Sequence, residues 1–373
     1  MSTTVLALNS GSSSLKFGLY RVGPMRLDTL LSGEMAAIEH IGKRLAESGL
    51  PPPDAIGHRI VHGGPGLRRH CLVDAAVLQQ LEAAAPFAPL HTPAALAVIR
   101  YAVEAFPGLP QVACFDTTFH ATLPDVARVL PVARELQAQG IQRYGFHGLS
   151  CESIVHELAR ELPHGVPERV LIAHLGNGAS VTAIQRGESI DTSMGLTPTG
   201  GLIMGTRSGD LDPGLLIYLM RENHFDAAML EDLVDHRSGL LGISGVGSDM
   251  RGLHRAAATD ADARLAIRMF CIAVCKQVAG MITALGGVDL IVFTGGIGEN
   301  DAAARAAICR GLAWFGIHLD AERNLRAINP ISDAASRCAV RVIASKEDEQ
   351  IARHTWALLW PEHPTAALER HEA

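Results

Sequence analysis

One arrangement occurs twice in the chain. A short apolar strand, a turn of small polar residues and a returning apolar strand are read at residues 5–8, 9–14 and 15–20, and again at 169–174, 175–180 and 181–185. The copies start about 165 residues apart, far beyond the 20–50-residue period of a solenoid, so the pattern implies two copies of one fold. A length of 373 residues suits two domains. With 48% apolar and 19% charged residues, each copy has material for a core. Further strands are expected at 55–62, 111–115, 289–293 and 340–344. Helices are expected at 36–49, 75–85, 94–105, 150–161, 261–285, 302–312 and 347–359, with a frayed tail at 361–373. Alternating strands and helices with two restarts give an α/β protein of two lobes.

Composition excludes several classes. The net charge is −7 and the basic residues are scattered, which argues against nucleic-acid or membrane-surface partners, because both need concentrated positive charge. No uncharged apolar run reaches 18 residues and the N-terminus lacks a basic leader, so a cytoplasmic protein is expected. Seven cysteines without a Cys-x-x-Cys pair are read as reduced, mostly buried thiols.

Three glycine- and serine-rich turns each follow an apolar strand, at 9–14, 175–180 and 294–300. Backbone can approach a ligand closely in such turns, and successive N–H groups can cradle an anion; a plain hairpin needs the same residue types. No P-loop, dinucleotide turn or nucleophile elbow is present. His156-Glu157 begins a zincin-like pair, but Arg160 stands where the second histidine belongs, so the pair is read as an exposed helix face. Four polar residues sit inside apolar or glycine-rich segments: Arg59, Asp116, His147 and Arg207. Lone arginines are commonly salt-bridged or exposed; here flanking glycines leave room for a ligand, and two guanidinium groups suit carboxylate or phosphate.

At these residues the chain resembles the acetate kinase family of short-chain acyl kinases. The matching blocks are 9–16, 57–64, 115–120, 144–148, 174–178, 204–207 with Asp212-Pro213, 249–251, 293–300 and 351–353. The resemblance implies two duplicated ribonuclease-H-like lobes, of the type shared by sugar kinases, Hsp70 and actin, with the active site in the cleft between them. It divides the chain into an N-terminal lobe, 1–149 with a returning C-terminal helix 347–373, and a nucleotide-binding lobe, 150–346. It implies reversible transfer of the ATP γ-phosphoryl group to acetate, giving acetyl phosphate and ADP, by a homodimer.

Carried over by position, Asn9 and Glu347 hold Mg2+ or Mn2+, although Glu347-Asp348-Glu349 is also an ordinary acidic helix start. Lys16 belongs to the first phosphate turn, and Arg59 binds the substrate carboxylate. Val61, Leu90, Phe146 and Pro198 line a pocket for its methyl group. Asp116 takes the family's proton donor/acceptor position, its role left open because acetate needs no deprotonation near pH 7. His147 and Arg207 stabilise the transferring phosphoryl group. His174, Leu175, Gly176, Asn177, Gly178, Asp249, Met250, Arg251, Gly295, Gly296, Ile297, Gly298 and Glu299 contact ATP. Arginines, a cation and backbone N–H groups are the parts phosphoryl transfer requires. The alternatives are a propionate or butyrate kinase of the same family, or a non-catalytic nucleotide-binding protein on the same fold. Two features depart from the family: Leu149-Ser150-Cys151 replaces the usual Thr-Ser-His, and the segment between Tyr20 and Pro51 is short.

Overall fold

The computed structural model describes residues 3–10, 15–24 and 26–361. Turn residues 11–14 and the tail from 362 onward, both read above, lie outside the described residues. The chain divides into two units. The first comprises Met1–Ala121, Gly148–Ser153 and Lys346–Ala373, and the second Thr122–His147 and Ile154–Ser345.

The first unit holds strands β1 (Thr3–Ser10), β2 (Leu15–Val22), β3 (Leu27–Met35), β4 (Ala55–Ile60), β5 (Cys71–Leu72) and β6 (Gln111–Phe115), in sheet order β3-β2-β1-β4-β6-β5. The second holds β7 (Arg169–Leu175), β8 (Ala179–Gln185), β9 (Glu188–Thr192), β10 (Leu290–Thr294) and β11 (Ala339–Val342), in order β11-β10-β7-β8-β9. In each, three strands form an antiparallel meander and two more add in parallel on the side of the first strand. Apart from the short β5, the two sheets have one topology. The repeat seen in the sequence is therefore a repeat of fold.

Period-two alternation assigns the faces of the first sheet. Val5 and Ala7 point to a core with Val112, Cys114, Ile351 and Trp356, under the final helix, Glu347–Leu359. Leu6 and Leu8 point to the opposite core with Phe17, Leu19, Ile56 and Ala102, under the helix Thr92–Ala105. Gly57 lies on β4 where the final helix presses in: a Cβ there would sit 2.2 Å from Thr355 Oγ1 and 2.6 Å from Ile351 Cγ2. The glycine is what lets the final helix reach the sheet.

Beside it, His58 is buried, with Nε2 2.7 Å from Gln111 Oε1. Burial pushes its pKa down from 6.5 to about 4, against the opposing pull of Gln111. The folded ring stays neutral where the unfolded one would protonate. Stability is therefore undiminished above pH 6.5 and is lost as pH falls from there towards 4, by about 3 kcal/mol at 1.36 kcal/mol per unit. Denaturation of the parent and of His58→Gln across this range should show a shallower acid limb in the variant. Equal slopes would remove His58 as a cause.

The structure departs from the sequence expectations at several places. Strand β3 occupies 27–35, which the sequence reading left without an element, and the helix expected at 36–49 is confined to Ile41–Glu47 after a 3-10 turn. As an edge strand, β3 buries no side chain fully, so it carries no clean alternation to read. Residues 295–300, expected as a turn, form a short helix. Glu157, expected on an exposed face, is buried and paired with Arg160. All seven cysteines are free. The helix Ala261–Leu285 is long and apolar enough in composition to cross a membrane. Its buried residues include Phe270, Val274 and Val278, and it packs against β7, β8 and β9.

Candidate active site

In both units the candidate residues gather at the carboxyl ends of parallel strands, where open α/β sheets bind ligands. In the first unit, β1 and β4 run side by side with Leu8 opposite His58, so Asn9 and Arg59 follow at the same end. β6 adjoins β4 and delivers Asp116, whose amide donates to Ile60 O at 2.9 Å. The start of the final helix completes the group.

Arg59 donates Nε and Nη2 to Asp116 Oδ2 at 2.9 and 2.6 Å, and Nη1 to Asn9 Oδ1 at 3.1 Å. Its Nε lies 3.9 Å from Glu347 Oε2. Asn9 Nδ2 donates to Glu347 Oε2 at 3.0 Å and to Asp348 Oδ1 at 2.8 Å. Three carboxyl groups thus share one guanidinium. Asp116 is fully buried, and burial raises its carboxyl pKa; Glu347 adds to the rise, while Arg59 and the Leu149 amide oppose it. Burial raises Asp348 as well. Burial also works against the charge on Arg59, but Asp116 and Glu347 outweigh it and hold the guanidinium above its usual range.

Asp116 Oδ1 is buried without a hydrogen bond among the described residues. An oxygen-only donor set with surplus negative charge and an orphan carboxylate oxygen suits a hard divalent cation. Asp348 is the member the sequence reading missed, because beside Glu347 it looked like ordinary helix-start charge. Lys16, opposite Asn9 in the β1–β2 ladder, is exposed.

The second unit carries another group. His147 has φ 58°, a left-handed conformation at the start of the helix Gly148–Glu161. Such strain persists where surrounding contacts over-determine it, typically at functional sites. Its Nδ1 lies 2.9 Å from Ser180 Oγ, and its ring stacks on His174 with centroids 4.1 Å apart. Arg207, nearly buried, donates Nη1 to Pro198 O at 2.7 Å. Gly178 lies between them: a Cβ there would be 2.8 Å from Arg207 Nη2 and 3.3 Å from His147 Nε2. Ser180 had no sequence signal beyond its place in the turn.

Nearby, Thr294 at the end of β10 pairs with His174 at the end of β7, which sets the two glycine segments side by side. Gly295 has φ +78° and opens the short helix Gly295–Asn300. Glu299 turns its carboxylate inward, accepting from the amides of Gly295 at 2.9 Å and Ser345 at 3.1 Å. Arg305, 1% exposed, donates Nη1 to the carbonyls of Gly298 and Glu299, both at 2.9 Å. These two side chains make a helix of a glycine-rich stretch that propensity alone disfavours. Asn177 is exposed at the β7–β8 turn. Asp249 caps the helix Met250–Ala256 through the Gly252 amide, with Arg251 3.6 Å away. Of the residues assigned to the methyl pocket, Val61 is buried and Leu90 half-buried in the first unit, and Phe146 and Pro198 are buried in the second.

The family model described as the Acetokinase family matches residues 32–353. An acetate kinase from Methylocella silvestris is 41% identical, with 96% of this chain and 98% of that protein covered. One from Deinococcus radiodurans is 44% identical, covering 94% and 96%. Among solved structures, a propionate kinase from Francisella tularensis superposes with TM-score 0.87 at 37% identity, covering 95% of this chain and all of that one. The acetate kinase of Porphyromonas gingivalis gives TM-score 0.81 at 34% identity, covering 96% and 100%.

Proposed function

Because the chain belongs to the acetokinase family, we propose that it transfers the γ-phosphoryl group of ATP to acetate, reversibly forming acetyl phosphate and ADP. The observation that carries this reading is the hydrogen-bonded network of Arg59, Asn9 and Glu347 around the buried Asp116. Arg59 uses three N–H groups on Asp116 and Asn9, and its remaining donors are available to a carboxylate. Asp116 holds that guanidinium charged and oriented. Asn9, Glu347 and Asp348 would hold Mg2+, with the orphan Asp116 Oδ1 close by in the same network. When bound, the cation offsets the negative charge of the phosphate oxygens.

His147 and Arg207 stabilise the phosphoryl group in flight, each already oriented, by Ser180 and by Pro198 O respectively. The segments 174–178, 249–251 and 295–299 bind ATP, with Glu299 and Arg305 shaping the last of them, and Lys16 serves the first phosphate turn. The protein works in the cytoplasm as a homodimer. Leu215, Ile217, Tyr218 and Met220, all at least 40% exposed on the helix Pro213–Glu222, supply apolar surface for such a contact. The direct test is hydroxylamine trapping of acyl phosphate with ATP and Mg2+ over acetate, propionate and butyrate. No acyl hydroxamate from any of them would sink the kinase reading.

The high structural similarity to a propionate kinase favours one second reading, a preference for the longer acid. The resemblance assigns Val61 and Leu90, both of the first unit, to the methyl pocket. On the acetate reading, a methylene in such a pocket discriminates by about 1–3 kcal/mol, so propionate should be a poor substrate rather than none; on the second reading it should be the better one. Val61→Ala should raise the propionate-to-acetate ratio of kcat/KM by about tenfold. If the variant only melts earlier and the ratio stays put, Val61 is a core residue and nothing more.

A further inference from the structure

His70, Glu152 and His354 have no part in the chemistry above. They come from three separate segments of the first unit: the approach to β5, the second turn of the helix Gly148–Glu161, and the final helix. One ligand-capable atom of each lies within 4.8 Å of the other two, and all three residues are partly open to solvent. Glu152 Oε2 and His354 Nε2 are 2.7 Å apart. The imidazole of His70 lies against that of His354, centroids 4.0 Å apart and tilted by 44°. One turn before His354, Gln350 brings its amide to 3.1 Å from the same Nε2.

An ion pair between Glu152 and His354 would account for two of these residues and leave the third unexplained. His70 accepts the Phe115 amide at Nδ1, 3.0 Å away, while its Nε2 makes no hydrogen bond among the described residues. A second imidazole packed on the pair adds nothing to an ion pair, yet supplies the third donor of a metal site.

We propose that His70, Glu152 and His354 form a binding site for a divalent transition metal of the zinc and cobalt class, separate from the Mg2+ used in phosphoryl transfer. Two imidazoles and one carboxylate are a known zinc donor set that leaves a fourth position open, whereas Mg2+ prefers oxygen ligands. Donors around a tetrahedral ion at about 2.0–2.1 Å sit about 3.4 Å apart. The Glu152–His354 contact therefore opens slightly and His70 draws in, both within reach of side-chain rotation. Loading also moves a proton. The Phe115 amide fixes the free His70 ring with its proton on Nε2. Ligation at Nε2 releases that proton to solvent and the ring takes one at Nδ1, so Phe115 N–H loses its acceptor.

The test is titration of the chelator-stripped full chain with Co2+ in excess Mg2+, read by the visible absorption of tetrahedral cobalt and by Zn2+ displacement. Hydrogen exchange at the Phe115 amide is followed in parallel. Stoichiometric tetrahedral cobalt, faster exchange at Phe115 and about 100-fold weaker binding in each of His70→Gln, Glu152→Gln and His354→Phe are expected. Mg2+-supported turnover of the metal-free variants should match the parent. Should His354→Phe fail to fold, His70→Gln, in a partly exposed segment, still removes one ligand. Octahedral or non-saturable cobalt overturns the proposal. So does binding that survives His70→Gln, which would leave only the Glu152–His354 pair.

Discussion

Arg207→Ala is expected to lower kcat/KM for acetate by about 10²–10³-fold, with little change in stability. The guanidinium is buried, and its Nη1 donates to the Pro198 carbonyl. It also lies beside the gap kept open by Gly178 and facing His147. A positive charge held in a site of low polarity acts strongly on charge that develops during transfer, because nothing has to reorganise when it does. Its loss should appear mainly in kcat. Arg207→Lys keeps the charge but not the planar fork, and should recover only part of the rate. Turnover within threefold of the parent in Arg207→Ala would remove this residue from the reaction. A matching test from the other side is Gly178→Ala, whose methyl would enter the space beside Nη2.

Arg59→Ala should show two losses at once. Activity should fall at least about 10²-fold, because the group assigned to the acetate carboxylate is gone. Stability should fall too, since Asp116 is fully buried and Arg59 is its bonded cation. Breaking a buried pair by removing one partner costs about 3–5 kcal/mol. Asp116→Asn on the Arg59→Ala background removes the stranded charge and should restore much of the melting temperature without restoring turnover. That split separates the two roles of Arg59. If stability and activity recovered together, Arg59 would be acting through the fold alone. If Arg59→Ala left both intact, the network would not be the site.

The architecture was legible because its signals are local. Strands β1, β6 and β7 and the helices at 261–285 and 347–359 show in apolar runs and periodicity, and Asp260 caps the helix Ala261–Leu285 by accepting from the amides of Asp262 and Ala263. The duplication followed from one strand-turn-strand pattern met twice. β3 and the short helix at 295–300 did not show, for opposite reasons. β3 is half-exposed and has no buried face to impose a period. The 295–300 helix depends on Glu299 folding back and on Arg305 reaching in from the next helix.

The sequence by itself determined which residue types stand at strand ends: arginine, aspartate, histidine and glycine, where a turn alone would accept many others. It could not say what each of them touches. Asp348 became part of the site only because the final helix returns to β1 and sets its first turn against Asn9. His147 takes its left-handed backbone next to Ser180 and His174, which lie more than 25 residues away along the chain. His70, Glu152 and His354 converge from three segments that share no motif. Propensity and periodicity act over a few residues, so they specify elements. Charge pairing, burial and ligand convergence are set by distances across the chain, and only the packed structure decides them.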